Sequence, residues 1–418
     1  MFEYQKNNLF FAQATGMMEQ ICESELKELG ATNTKIAYRG VYFEADKSSL
    51  YKINYTSRLI TRVLAPLKSF HCRSAKDIMS IASKIEWDKF FSVDQTFAIT
   101  SSVNKSTINN SLYASQVLKD GIADYFRDKM GKRPNVDTVN PNVRFNLFIE
   151  KDKAILSLDT SGESLHKRGY RLLAGEAPMQ ETLAAAIIRL SNWIGDKPLL
   201  DCMCGSGTIV CEALMHYCKI PAQYLRKNFG FFYLPDFDKA LWERIKSEID
   251  KQIIPLPKNL ISGSDKSEIN LKVAKENLAR LPNSNNVKLS VHPFQHINKF
   301  ENGVLITNPP YGIRLGIREE VEVLYKDLGD FLKSKCKGTS AFVYTGDPSL
   351  RKNIGLKTSR RIPLVNGKLE GVLLQIDSYE GSRKAKYQNE KGIEETNLFF
   401  DKNICLNIFS FIKLIMIL

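Results

Sequence analysis

No two cysteines among the 418 residues stand at C-x-x-C spacing, and the eight present follow no disulfide-scaffold pattern. Cys202, Cys204, Cys211 and Cys218 crowd one stretch with His216. However, the first two fall at a strand end and the others on the buried-looking helix after it, so no metal is expected. Unpatterned cysteines point to a reduced, cytoplasmic chain. Long apolar runs are missing too. The opening "MFEYQKNNLFFAQAT" is charged and poorly apolar, unlike a secretory signal. The closing "NICLNIFSFIKLIMIL" is too short to span a bilayer and is interrupted by Lys413, so no membrane partner is expected. Histidine is scarce, at five, and His71, His216, His292 and His296 read as structural or exposed. Internal repeats and low-complexity linkers are absent.

What is present is ordinary in bulk and uneven in charge. The hydrophobic share is 43% and the charged share 25%, as in a globular protein with a large core. The net charge of +13 suits a polyanionic partner, nucleic acid before membrane.

The chain divides near residue 160. Beyond Lys197, strand-like "PLLDCMC", "NLISGSD", "VKLSVHPF", "GVLIT" and "SAFVYTG" are mostly separated by helical segments such as "SEINLKVAKENLARL". Such alternation predicts a parallel sheet covered on both faces. "LKTSRRIPLV" and "KLEGVLLQID" turn at Asn366-Gly367, an antiparallel hairpin closing one edge. The first 160 residues read as α+β. "KIAYRGVYFEA" is a strand or hairpin, and "SLYKINYTSRLITRVLAPL" has helical spacing with a basic face. "DQTFAITSSV" is strand-like and "LYASQVLKDGIADYFRDKM" helical. "VRFNLFIEKDKAILSLDTSG" is two strands turning at Lys151-Asp152-Lys153, and residues 166–178 form a boundary.

Three features share one predicted sheet edge. "LLDCMCGSGT" sets Gly205, Ser206 and Gly207 between a strand ending at Asp201 and a helix, without a Walker lysine or a full G-x-G-x-x-G. Asp265 ends the next strand, where a carboxylate can take both hydroxyls of a ribose. In "GVLITNPPYG", two prolines end the strand and hold Asn308 extended. That makes a rigid corner of an amide, carbonyls and the Tyr311 ring. Each alone reads as a turn or a helix cap; together, at the carboxyl ends of parallel strands, they read as a ligand site.

Residues 165 to 380 resemble the class I S-adenosylmethionine-dependent methyltransferases, and more narrowly the RNA guanine-N2 methyltransferases with an N-terminal THUMP domain. The motifs that carry the likeness are "HKRGYR", "APMQETLAAAI", "LLDCMCGSGT", "TNPPYG", "LYKDLGDFLK" and "NGKLE", in order. The resemblance implies a Rossmann-like α/β domain, a seven-stranded sheet with an antiparallel edge hairpin, over 165–385. Ahead of it would lie an α+β ferredoxin-like region over 1–60 and a THUMP RNA-binding domain over 61–160; residues 386–418 stay unassigned. It implies that Asp201, Cys204, Gly205, Ser206, Gly207 and Thr208 surround the methionine part of S-adenosyl-L-methionine while Asp265 holds the ribose. The family's usual acid near the adenine is replaced here, where Pro293 and Phe294 stand and Gln295 can serve instead. Ile313 follows Gly312 where the family often carries Glu, and Arg314 is kept.

An exocyclic amine is a poor nucleophile because its lone pair is delocalised. Asn308 and the Pro309 carbonyl can accept its hydrogens, with Pro310 stiffening the turn and Tyr311 stacking on the base. The same corner suits adenine N6, so the N-terminal half decides the substrate. Lys119, Arg127, Lys129, Lys132 and Arg133 are candidate phosphate contacts, set against Asp120, Asp124 and Asp128 on the same stretch. His166, Lys167, Arg168 and Arg171 are RNA-binding candidates by motif. The expectation is methylation of guanine N2 in 23S rRNA, naked or in a large-subunit assembly intermediate. The alternatives are a tRNA guanine, an adenine N6, or a non-catalytic RNA-binding assembly factor.

Overall fold

The computed structural model describes residues 1–171, 179–312 and 318–378. The 386–418 segment, Ile313, Arg314 and part of the 166–178 boundary therefore lie outside the described residues. Among the described residues no helix is long and apolar enough to cross a membrane. Seven cysteines there are buried and unpaired.

The N-terminal half is one continuous sheet. Its strands are β1 (Leu9–Ala14), β2 (Thr32–Ala37), β3 (Gly40–Glu44), β4 (Ile60–His71), β5 (Phe97–Asn104), β6 (Val143–Glu150) and β7 (Lys153–Asp159), in the order β2-β3-β1-β4-β7-β6-β5. β1 alternates half-buried and buried residues, the period-2 pattern of a sheet with one face on a core. The hairpin of β6 and β7 turns through Lys151 and Asp152, both at positive φ. β4 crosses the expected boundary at residue 60 and pairs with β1 on one side and β7 on the other. The regions expected to be ferredoxin-like and THUMP thus share their central strand.

That strand corrects one sequence expectation. "SLYKINYTSRLITRVLAPL" is helical only through Thr56. The buried Glu25 carboxylate accepts from Ser57 Oγ at 2.5 Å, Arg58 N at 2.8 Å and Leu59 N at 3.1 Å, which arrests the chain in a turn. Beyond it, β-branched Ile60, Thr61 and Val63 favour the strand.

The second sheet holds β8 (Leu199–Asp201), β9 (Ile261–Asp265), β10 (Lys288–Val291), β11 (Val304–Thr307), β12 (Ser340–Thr345), β13 (Arg360–Asn366) and β14 (Leu369–Asp377), ordered β10-β9-β8-β11-β12-β14-β13. The first five run parallel, and the β13–β14 hairpin adds the antiparallel edge. β8 and β11 are buried at every residue, as strands covered on both faces must be. The order reverses between them, so their carboxyl ends open the crevice where such sheets take ligands. Trp193 and Trp242 are buried.

Residues 1 to 378 form one compact unit, and the two halves meet without space to spare. A Cβ on Gly230, in the turn after the helix Thr208–Tyr217, would lie 1.8 Å from the Asp159 carbonyl oxygen of β7. Gly230→Ala should therefore force the halves apart and lower stability by about 1–3 kcal/mol or more, read as a drop in the midpoint of thermal unfolding.

Candidate active site

β8 delivers the chain into the loop Cys202–Gly207 and then into the helix Thr208–Tyr217. Gly205 (φ 51°) and Gly207 (φ 81°) lie in the left-handed region, which favours glycine. At Gly207 a Cβ would sit 3.0 Å from Ala274 Cβ on the neighbouring helix; at Gly205 it would meet nothing within 4 Å among the described residues. The loop is thus pressed onto the protein at one glycine and bare at the other. Asp265, at the end of β9, accepts from Gly205 N at 2.9 Å and Ser267 N at 2.8 Å. It is thereby fixed at the loop's edge.

A cleft of about 680 Å³ opens at the switch point. Its walls include Gly205 and Asp265 on one side, Pro293, Phe294 and Gln295 on another, and Asn308, Pro309, Pro310 and Tyr311 on a third. All four expected corner residues reach it. Of the expected cofactor set, Gly205, Asp265 and Gln295 line it, whereas Asp201, Cys204, Ser206, Gly207 and Thr208 do not. Asp201 is 1% exposed and turned into the sheet, where Thr307 Oγ1 donates to its Oδ1 at 2.9 Å. Thr208 takes a hydrogen bond from Arg171 Nη2 at 3.0 Å. Gln295 Nε2 donates to Asp327 Oδ2 at 3.2 Å. Met203, Lys266, Ser267, Asn270, Leu324 and Leu369 also line the cleft and were missed from sequence. Asn270 had a local signal, being in the first turn of the helix after Asp265 and donating to its carboxylate. Leu369 had none, since the distant edge hairpin brings it there.

The Asn308 side-chain oxygen is buried and has no hydrogen-bond partner among the described residues. The Tyr311 ring lies close to Gly346, where a Cβ would come within 2.7 Å of it. No side chain at 346 is compatible with this ring position.

The interdomain candidates need correction. Arg168 is 1% exposed: it pairs with Glu212 at 3.3 Å and donates to the carbonyls of Leu165 and Arg58, so it cannot reach a phosphate. Arg171 is committed to Glu181 at 3.1 Å, the Met179 carbonyl and Thr208. His166 bonds Ser164 Oγ through Nδ1 at 2.8 Å, and burial, aided by Arg168 and Lys167, pushes its ring down to about 4, leaving it neutral at physiological pH. Lys167 is exposed and paired with Glu163 at 2.6 Å. Lys132 and Arg133 are exposed, Arg133 lying 3.5 Å from Asp124. Lys119, Arg127 and Lys129 pair with Asp120, Asp124 and Asp88. Such surface pairs are worth only about 0–1 kcal/mol and yield readily to a phosphate.

Family comparisons agree with this layout. The chain matches the family described as "RMKL-like, methyltransferase domain" over residues 168–375, the THUMP domain over 72–159 and the RlmL ferredoxin-like domain over 9–64. A protein of Synechocystis sp., provisionally named an RNA methyltransferase, is 37% identical over 374 residues, 88% of this chain and 97% of the relative. The chain belongs to the THUMP-domain RNA methyltransferases. S-adenosylmethionine is accordingly its methyl donor, and the bare backbone at Gly205 with Asp265 beside it fits that group. The "Ribosomal RNA large subunit methyltransferase K/L" of Psychromonas ingrahamii is 36% identical over 370 residues, 87% of this chain and 49% of the relative, so the chain spans about half of that protein. Among solved structures, a provisionally assigned methyltransferase complexed with SAH has a TM-score of 0.79 at 29% identity, covering 90% of this chain and 99% of its own. A Listeria monocytogenes structure titled as an N6-adenine-specific DNA methylase has a TM-score of 0.77 at 27% identity, covering 90% and 97%.

Two outcomes follow from the buried charges. Burial, offset in part by Thr307 and Met203 N–H, pushes the Asp201 carboxyl up to about 7. It binds its proton more tightly folded than unfolded, so its contribution to stability is complete below about pH 4 and is lost as pH rises through 7. Asp201→Asn should remove that slope, and its thermal midpoint should gain on the wild type between pH 5 and 8. Arg168→Met should cost about 3–5 kcal/mol in denaturant unfolding by stranding Glu212, while RNA affinity of the folded fraction stays unchanged.

Proposed function

We propose that this chain methylates the exocyclic N2 of a guanine in 23S rRNA, free or within a large-subunit assembly intermediate. The observation that carries the reading is the orphaned Asn308 oxygen at the cleft. A buried acceptor left unpaired costs about 1–3 kcal/mol, and a donor N–H on a base entering the cleft would satisfy it. Asn308 and the Pro309 carbonyl hold the two amine hydrogens and turn the nitrogen's lone pair away from the ring. Tyr311 stacks on the extruded base, worth on the order of 1–3 kcal/mol. When bound, S-adenosylmethionine supplies an activated methyl: the carbon–nitrogen bond forms, the carbon–sulfur pair stays on sulfur, and the amine's surplus proton passes to water. Alignment is what the site contributes, and no strong base is needed.

The choice of ribosomal RNA is supported by the names of the K/L relatives and an RNA substrate by the THUMP region, while the choice of guanine rests on the motif resemblance alone. A second reading, adenine N6, has in its favour that the corner's acceptors suit either amine and that the Listeria structure bears an adenine-methylase title. The non-catalytic reading gives no role to an unpaired acceptor that, unlike those of Glu212, Gln223 and Gln375, belongs to a cleft residue.

Incubating the chain with labelled S-adenosylmethionine and separate pools of unmodified 23S rRNA, tRNA and DNA, followed by nucleoside mass spectrometry, tests the proposal. N2-methylguanosine from the 23S pool alone is expected. N6-methyladenine, or a product from tRNA, would overturn the substrate. Asn308→Ala should lower transfer at least a hundredfold with RNA affinity nearly unchanged, and an active Asn308→Ala would remove the clamp.

A further inference from the structure

β8 and β11 are neighbours at the switch point, and their paired residues reach only to Leu200 and Leu305. One strand continues into the glycine loop and the other into the Asn308 corner. At the height of the cleft a side-chain bond crosses between them. Thr307 Oγ1 donates to Asp201 Oδ1 at 2.9 Å, and the same oxygen accepts from Met203 N at 3.3 Å. Thr307 and Asp201 are both buried, so water does not compete for this bond. Met203 and Asn308, at its two ends, are both cleft residues.

We propose that Thr307 is a positioning residue for methyl transfer: through Asp201 it sets the register of the glycine loop against the Asn308 corner. The inference rests on the reading of that corner as the amine clamp. Attack at the methyl carbon requires the nitrogen in line with the carbon–sulfur bond, so a lateral slip between the two loops is penalised in the transition state and barely felt when either ligand binds alone. The β-branched Thr307 is stiff about χ1, which makes it a good spacer. Its hydroxyl, invisible at the cleft surface, is the part that matters; valine has the same shape without it.

Thr307→Val and Thr307→Ser in the full chain, with an RNA that the wild type methylates, test this. Single-turnover rates at saturating donor and RNA are read beside the Kd of each ligand and the thermal midpoint. Thr307→Val should transfer roughly ten- to a hundredfold more slowly, with both Kd values within about twofold of wild type, and Thr307→Ser should restore most of the rate. Thr307→Ala is measured alongside, so that a valine variant that does not fold still leaves a hydroxyl-free protein to assay. Wild-type rates in Thr307→Val or Thr307→Ala would overturn the proposal. So would a loss of donor affinity that accounts for the whole loss of rate, because the bond would then only hold the loop. Activity in Asn308→Ala would instead defeat the clamp while leaving the Thr307 measurement standing.

Discussion

Arg168, buried against Glu212 and donating to the Arg58 carbonyl, ties the two halves into one body. Glu212 sits midway along the helix Thr208–Tyr217 that follows the glycine loop, and Tyr170 also donates to it, at 3.2 Å. Arg58, from the turn before β4, donates to the Met215 and Ile220 carbonyls at that helix's far end. Arg226 returns the grip, donating to the carbonyls of Ser161, Glu163, Ser164 and Lys167 in the connecting strap. Charge buried this deeply is tolerated only when most donors find acceptors, and backbone carbonyls of the strap, of Arg58 and of Met215 and Ile220 provide them. The connection between the halves is therefore a strut.

A rigid strut matters for a protein that must bring a structured polyanion and a small cationic donor to one cleft. The N-terminal half carries the exposed Lys132 and Arg133 in the connection after the helix Ser111–Met130, and the second sheet carries the corner. With the halves locked, the distance from these two residues to the cleft is fixed. Fixed geometry of this kind favours selection of a substrate by shape, which is how double-helical RNA is mostly recognised.

The cleft divides its work between bare backbone and held side chains. Gly205 exposes backbone because nothing fills the space where a side chain would stand. Asp265 is held by three donors, from Gly205, Ser267 and Asn270, and keeps its place at the loop's edge. Asn308 alone keeps a buried oxygen unanswered at the corner.

Local geometry was legible in the sequence. Pro309 and Pro310 dictate a corner whatever surrounds them, the positive φ of Gly205 and Gly207 is a backbone demand, and the strand-helix alternation with Asn366-Gly367 implies the sheet and its reversed edge. These depend on a few consecutive residues. Where side chains point depended on partners far along the chain. Arg168 and Arg171 looked like a basic RNA-binding strip, yet Glu212 and Glu181 draw them inward; Asp201 looked like a cofactor ligand, yet Thr307, 106 residues away, turns it into the sheet. Leu369 reaches the cleft only because the edge hairpin folds back over it. The sequence by itself determined which chemical groups stand at the strand ends, since turn and strand propensities act locally. Which of them face the cleft and which became internal struts was decided by the tertiary structure alone, because burial depends on what packs from elsewhere.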